Sequence, residues 1–481
     1  MSKAKTGEVR PFGMRDKIGY ALGDCGNDFT FILTSSFITI FYTNVMGVAG
    51  WIVGTLIMCA RFVDAVTDVT MGQIVDRSKP TKNGKFRPWL KRMCIPVAVA
   101  SFLIWQSEFS GMGNGFKVVW LIVTYLLWGS FMYTSINIPY SSMASAITGD
   151  PGQRSQLSNF RTIGATIAGL FIGFLVPQIA YVYVDGVSTL SGTRMTIIAG
   201  VFSVCAIICY LLCYNLTTER VAVPQVTQKL NVGKMLKSLV TNRSLIGIML
   251  AAIALLLGQL GMGTMAGYVF TSYYNNGTMS SYASLFGSLG ILLICATTAV
   301  KISKKVGKKE MSIVSCAFST LCYIVCLIVR PQNVWVYIVF FILAYIGLGF
   351  FNTVIWAMII DVIDAAEVKN GVREDGTIYS IYSFARKLGQ ALAAGISGIL
   401  ISAIGYTDEV AAAPSNYPEI MNKLFNITCI IPICGFGLVV VFLVCIYPLN
   451  KKRVEENAAA LAAKREAAAP PAPEVDQVQP E

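Results

Sequence analysis

The chain has no histidine among its 481 residues. That absence removes His-containing metal sites, serine–histidine triads and histidine proton relays together. Proton or cation chemistry falls to Asp, Glu, Lys, Arg or neutral oxygens. Charge is scarce too: 13% of residues are Asp, Glu, Lys or Arg against 55% hydrophobic, and the mean hydropathy is +0.62, a balance foreign to soluble domains of this length. A disulfide framework is excluded by thirteen cysteines, an odd number, spread through apolar segments such as CAIICYLLC (205–213), where they act as small core residues. Nor is there a phosphate-binding glycine loop. GQLGMG (258–263) lies in a long apolar run with no strand before it, and GLFIG (169–173) suits close helix contact.

What the chain does have is apolar sequence in blocks that reach the roughly 20 residues needed to cross a bilayer. Six lie at 19–46, 51–75, 93–109, 118–147, 157–182 and 195–216, and six more at 245–274, 282–300, 311–329, 334–362, 378–404 and 421–447. The expected fold is an all-α integral membrane protein with twelve transmembrane helices in two six-helix halves. Its parts are an N-terminal segment (1–17), a first bundle (18–216), a central link (217–244), a second bundle (245–449) and a tail (450–481). The first 17 residues are polar and basic without a cleavable apolar core, so the first helix is expected to be its own insertion signal. The tail runs from alanine-rich ENAAALAAKREAAA into PPAPEVDQVQPE and reads as a short helix fraying into disorder.

A net charge of +12 could mean nucleic acid, but the basic residues fall on one side of the spans. Arg77, Lys79, Lys82, Lys85, Arg87, Lys91 and Arg92 follow the second helix, Lys301, Lys304, Lys305, Lys308 and Lys309 follow the eighth, and Arg220, Lys229, Lys234 and Lys237 lie in the central link. Links after odd-numbered helices carry almost none. The bias places both termini in the cytoplasm, in agreement with an even number of spans.

Ionisable residues also occur within the spans. In ARFVDAVTDVTMG (60–72), Arg61, Asp64 and Asp68 are spaced by three, four and seven residues and share one helix stripe. One charge at mid-membrane costs about 2.5–3.5 kcal/mol on insertion scales, so three on one face imply an enclosed, hydrated or cation-occupied cavity. The alternative is a salt-bridge cluster that only ties helices together. Two carboxylates with one guanidinium leave a negative excess that Na⁺ or H⁺ would balance, and neighbouring carboxylates raise each other's proton affinity.

GDCGNDF (23–29) adds Asp24, Asn27 and Asp28 to the first span, with Asp24 nearer the cytoplasmic surface and Asp28 deeper, as a ligand residue. In YTSINIPYSS (133–142), Tyr133, Asn137 and Ser141 share a face, and Pro139 frees the Ser135 carbonyl. These groups suit a polyhydroxylated ligand, against the plainer account of a proline-bent packing helix. Arg161 brings charge into the fifth span. In SFARKLGQ (383–390) Lys387 is expected to point inward, beside Ser383 and Gln390, and Arg386 toward the cytoplasmic boundary. Asn352 and Trp356 are one turn apart; Trp356 is either a core aromatic or a platform for the C–H face of a sugar.

ARFVDAVTDVTMGQIVD followed by GKFRPWL, then NIPYSS, RSQLSNFRTIGA, WAMIIDVIDAAE and YSFARKLGQA stand in an order and spacing that resembles the glycoside-pentoside-hexuronide:cation symporters. These are a branch of the major facilitator superfamily that includes the melibiose and glucuronide carriers. The resemblance covers nearly the whole chain except the tail, and the loop GQIVDRSKPTKNGKFRPW (72–89) looks like an expanded form of the superfamily's basic loop between helices two and three.

The resemblance implies a coupling-cation site at Asp64 and Asp68, aided by Thr67 and Thr134. It also implies a sugar cavity with Asp28, Tyr133, Asn137, Arg161, Asn352, Trp356, Ser383 and Lys387, with Arg61 and Asp24 in a charge network. Asn27 and Asn137 stand where the melibiose carriers have a lysine and an aspartate, and NIPY with FARKLGQA is nearer the glucuronide and pentoside carriers. Arg161 and Lys387 would suit an anionic uronide.

The expected activity is symport of a sugar or glycoside with Na⁺ or H⁺ by alternating access in a bacterial cytoplasmic membrane. It needs no cofactor, no metal beyond a possible Na⁺ and no nucleic acid; a monomer is expected. A lipid or other non-sugar cargo and a non-transporting sugar receptor are the rival readings, and a membrane enzyme lacks a metal signature, a soluble catalytic domain and histidine.

Overall fold

The computed structural model describes residues 10–221, 242–370 and 375–467. Most of the expected central link, the first nine residues and the end of the tail lie outside them. Helix follows helix: α1 Met14–Asn44, α2 Gly50–Arg77, α3 Arg87–Leu103, α4 Asn114–Ile147, α5 Pro151–Ala180 and α6 Gly192–Leu216 form one half. In the other are α7 Arg243–Tyr273, α8 (279–306), α9 Lys308–Val329, α10 Val334–Asn370, α11 Asp375–Ala403 and α12 Pro418–Cys445, after which α13 Lys451–Ala467 begins the tail. Among the described residues eight of these are each long and apolar enough to span a membrane, and bent α8 makes nine. The remaining three, α1, α2 and α11, carry Asp24 and Asp28, Arg61, Asp64 and Asp68, and Arg386 and Lys387. Ionisable residues thus sit in the spans with the weakest apolar signal.

Helix starts follow local chemistry. Asp150 accepts from the Gln153 amide at 2.9 Å ahead of Pro151, and Asn242 accepts from the Leu245 amide at 3.1 Å, each satisfying a first-turn donor. α4 contains a stretch of wider π-type turns, Leu127–Tyr133, which inserts a phase shift just before the polar YTSINIPYSS segment.

One element departs from the expected all-α fold. The fifth helix was expected to run to residue 182, yet it ends at Ala180, and Tyr181–Val184 (β1) pairs antiparallel with Val187–Leu190 (β2). Asp185 at φ 51° and Gly186 at φ 82° make the two-residue turn, the type that matches strand twist in hairpins. The Asp-Gly pair between YVYV and VSTL signals this in the sequence; apolar content alone reads it as the end of a span.

The halves meet along α2 with α11, α5 with α8 and α1 with α7. Each half has its own apolar core, and the first core extends at the hairpin end over Met265, Tyr268, Ile401 and Tyr406 of the other half. Bonds at that end cross between halves. Thr43 and Tyr268 share a hydrogen bond at 2.8 Å, Asn44 donates to the Tyr406 hydroxyl at 3.3 Å, and the Trp51 amide donates to Ser402 at 2.8 Å. Burial pushes the Tyr406 hydroxyl up to about 12, and it shares a hydrogen bond with Ser272 at 2.6 Å. α2 and α11 cross backbone to backbone, where a Cβ on Gly54 would lie 2.8 Å from the Ala394 carbonyl oxygen.

At the terminal end, among the described residues, several bonds stay inside each half. Asp16 takes Arg10 at 2.7 Å and Arg220 at 2.9 Å. Glu219 accepts from the amides of Lys85, Phe86 and Arg87 at 2.7–2.9 Å, an anion seated on the start of α3. In the second half Lys308 grips both oxygens of Asp361 at 2.6 and 2.7 Å. α13 docks there through Lys451, which donates to the Lys305 carbonyl at 3.0 Å, and through buried Leu461.

Candidate functional site in the centre of the bundle

The stripe on α2 meets α4 as its spacing requires. Asp64 is 4% exposed. Arg61 Nη1 lies 3.3 Å from its Oδ2, and Ser130 donates to its Oδ1 at 2.5 Å. One turn on, Thr134 donates to Asp68 Oδ1 at 2.8 Å. Ser130 and Thr134 lie within and just after the widened turns of α4, which present both hydroxyls to α2. Sequence reasoning identified Thr134 and missed Ser130, whose only signal was its four-residue spacing from Thr134. The Thr67 hydroxyl bonds back to the Val63 and Asp64 carbonyls, each at 3.1 Å.

The expected excess of negative charge on this stripe does not hold. Lys387 of α11 forms an ion pair with Asp68, each side chain about a quarter exposed (26% and 25%), so Arg61, Asp64, Asp68 and Lys387 sum to zero. This balance was hidden because the fourth charge comes from the other half, 319 residues further on (387 − 68). Lys387, expected at the sugar, sits on the expected cation site. Arg386 is corrected as well: it does not reach for the boundary but lies over the Trp356 ring at 5.3 Å, with Tyr382 edge-on at 5.2 Å. Trp356 is 42% exposed, with that cation on one face.

On α1, Asp24 pairs with Arg161 Nε of α5 at 2.9 Å, and the guanidinium lies 5.4 Å from the centre of the Tyr140 ring. Asn27 is buried between Tyr210, which donates to it at 2.9 Å, and Asn137, which accepts from it at 3.4 Å. Asp28 is half-buried and, among the described residues, makes no hydrogen bond or ion pair. Tyr133 stacks with Phe31 at 5.7 Å. In the second half Asn352 donates to Gln259 at 3.1 Å, and Ser383 is exposed. Between the halves, toward the hairpin end, a small cavity of about 30 Å³ is lined by Thr34, Ser35, Arg61, Tyr125, Thr264 and Gln390 among others. Beside it, Arg61 Nε is a buried donor with no hydrogen-bond partner among the described residues.

Chemically, the centre holds carboxylates and hydroxyls, all-oxygen donors that suit a hard monovalent cation or a proton, beside amides, hydroxyls and aromatic faces that suit a polyol. Two six-helix halves joined at one end over such a centre are the architecture of a secondary transporter.

Over 464 aligned residues the chain is 30% identical to the isoprimeverose transporter of Lactiplantibacillus pentosus, covering 92% of this chain and 93% of that one. It is 29% identical to the glucuronide carrier protein homolog of Escherichia coli K12, over 92% and 94% of the two chains. A putative glycoside/cation symporter from the same organism is 29% identical over 92% and 93%. Among solved structures a D-xylose–proton symporter superposes with a TM-score of 0.60 at 13% identity, covering 90% of this chain and 98% of that one, a likeness of fold. The chain belongs to the MFS/sugar transport protein family, whose model matches residues 19–451.

Proposed function

We propose that this multi-pass membrane protein carries a sugar or glycoside inward together with Na⁺ or H⁺, in a bacterial cytoplasmic membrane with both termini cytoplasmic. The basic links after α2 and α8 support that orientation, and the bacterial relatives named for glucuronide, isoprimeverose and glycoside/cation transport support the substrate class. The hairpin end then faces outside. The bonds that cross between halves there, beside those of Asp16, Glu219 and Asp361 that stay within halves among the described residues at the terminal end, support reading this conformation as closed outside and open toward the cytoplasm.

The observation that carries the mechanism is Lys387 on Asp68. In the inward-open state the ammonium occupies the carboxylate that the coupling cation would need, so the cation is displaced toward the cytoplasm. When α2 and α11 part at the outer end, Lys387 withdraws, and Asp64 and Asp68 take Na⁺ or H⁺ with help from Thr67, Ser130 and Thr134. Sugar binds among Asp28, Tyr133, Asn137, Arg161, Asn352, Trp356 and Ser383, with Arg386 moving off the Trp356 face. Asp28 is the group best prepared for sugar hydroxyls, because its oxygens are unspent. The freed Lys387 gives an acidic sugar a partner.

Each ligand raises affinity for the other by the same factor. One positive charge crossing about 100 mV supplies about 2.3 kcal/mol, enough for roughly fifty-fold accumulation of a neutral sugar. No bond of the sugar is made or broken, and no cofactor takes part.

The test is uptake of labelled glucuronides, xylosides and galactosides into vesicles under imposed Na⁺ or H⁺ gradients. Gradient-driven uptake of one class names both ligands. Binding without uptake by oriented, folded protein sinks the transport reading in favour of a receptor, and indifference to every sugar moves a lipid or other cargo ahead.

A further inference from the structure

The β1–β2 hairpin engages the other half of the molecule with more directed bonds than a connecting loop needs. Asn275, in the turn between α7 and α8, sits at φ 49° and presents its side-chain amide edge-on to the hairpin. Its Nδ2 donates to the Gly186 carbonyl at 2.7 Å, and its Oδ1 accepts from the Ser188 amide at 2.6 Å. Tyr183 donates to the Asn275 carbonyl at 3.1 Å, and the Gly277 amide donates to Ser188 Oγ at 2.9 Å. The Tyr181 ring lies flat on Gly277, where a Cβ would stand 2.5 Å from the ring. Behind it, Ser281 of α8 donates to the Phe174 carbonyl of α5 at 2.8 Å. Gly277 and the left-handed Asn275 thus form a receptor in one half for a hairpin of the other, and Ser281 ties the helix behind it to α5.

We propose that the Tyr181–Leu190 hairpin is an outer latch: it locks into the Asn275–Gly277 turn when the external side closes, and its release is a required step in opening that side. The inference rests on the alternating-access reading above. An isolated two-stranded hairpin is marginal in water, so this one gains its order from the partner half. Opening α5 from α8 breaks the set of bonds as a unit, because both strands and the turn engage one short segment. Asn275 is the central element, since its amide holds the hairpin's tip and second strand together.

Hydrogen exchange measured by mass spectrometry on the full-length protein in lipid nanodiscs tests this without sugar or cation, so the latch and the sugar reading fail separately. Two segments are compared in wild type and Asn275→Ala: the hairpin with residues 268–284, and the distant seam formed by residues 43–54 and 398–406. Loss of two side-chain bonds, one exposed and one half-buried, predicts an exchange rate raised about fivefold in both, with α3 and α6 unchanged at the terminal end. Faster exchange in the hairpin alone, with the distant seam as protected as in wild type, overturns the latch and leaves a packed loop. Should Asn275→Ala lose protection everywhere, Tyr183→Phe, which deletes one bond and keeps the ring, is read by the same comparison. A rise of about threefold shared by both seams supports the latch, and a rise confined to the hairpin overturns it.

Discussion

Lys387 on α11 pairs with Asp68 on α2, and this pair joins the halves at mid-bundle, below the seam of bonds that closes the hairpin end. It makes the charge balance around Asp64 and Asp68 a property of both halves. Separation of α2 from α11 changes the charge of the site with no change in α2 itself.

Asp68→Asn leaves the Lys387 ammonium without its carboxylate. Removing one partner of a fully buried pair costs about 3–5 kcal/mol, and partial exposure lowers the expected loss here to about 1–2 kcal/mol. Thermal unfolding of the purified variant is therefore expected several degrees early. Asp68→Asn combined with Lys387→Gln is expected to regain most of that loss while gradient-driven uptake stays absent. A double variant as unstable as the single one would show that charge pairing is not what Asp68 contributes.

Thr134→Val removes a hydroxyl from Asp68 and from the proposed cation shell. Bonds to charged groups are worth about 1.5–3 kcal/mol, so the cation concentration needed for half-maximal sugar binding is expected to rise about tenfold or more, and Thr134→Ser is expected to stay near wild type. Titration calorimetry of the sugar at several cation concentrations reads this directly. Equal effects of Val and Ser would point to packing of α4 on α2 instead.

Asp24 and Arg161 form the corresponding pair between α1 and α5. A double-mutant cycle with Asp24→Asn and Arg161→Gln is expected to give a coupling of about 1 kcal/mol in unfolding free energy, with sugar affinity lowered by either single change. Strict additivity would mean that the two residues act independently.

Gly398→Val puts two methyl groups against the backbone of α2, where even a Cβ would lie 2.8 Å from Gly54 Cα. Overpacking costs about 1–3 kcal/mol, and here it is exacted only when the outer end closes. Sugar binding is expected to hold within about threefold while uptake falls roughly 10–100-fold. Equal losses of binding and uptake would place the damage in the folded core rather than in closure.

The spans and the stripe of Arg61, Asp64 and Asp68 are local properties. Apolar length gives the first and the 3.6-residue period of the helix gives the second, so both were readable along the chain, as was the basic side of the links. The hairpin was readable too, from Asp185 and Gly186 between alternating residues, although hydropathy hides it because its strands are as apolar as the helix before them. Ser130 was less accessible, since the widened turns of α4 that aim it at Asp64 have no clear sequence mark.

By itself, then, the amino-acid order determined twelve apolar segments, the bias of basic residues among their links and which polar residues share a helix face, because each depends on neighbours within a few turns. Only the tertiary structure decided that Lys387 neutralises Asp68, that Arg386 covers Trp356 and that Asn275 receives the hairpin. Those contacts join residues about 30 to more than 300 positions apart; Lys387 on Asp68 and Asn275 on the hairpin depend on how the two six-helix halves lean against each other, and Arg386 on Trp356 depends on how α10 packs beside α11 within the second half.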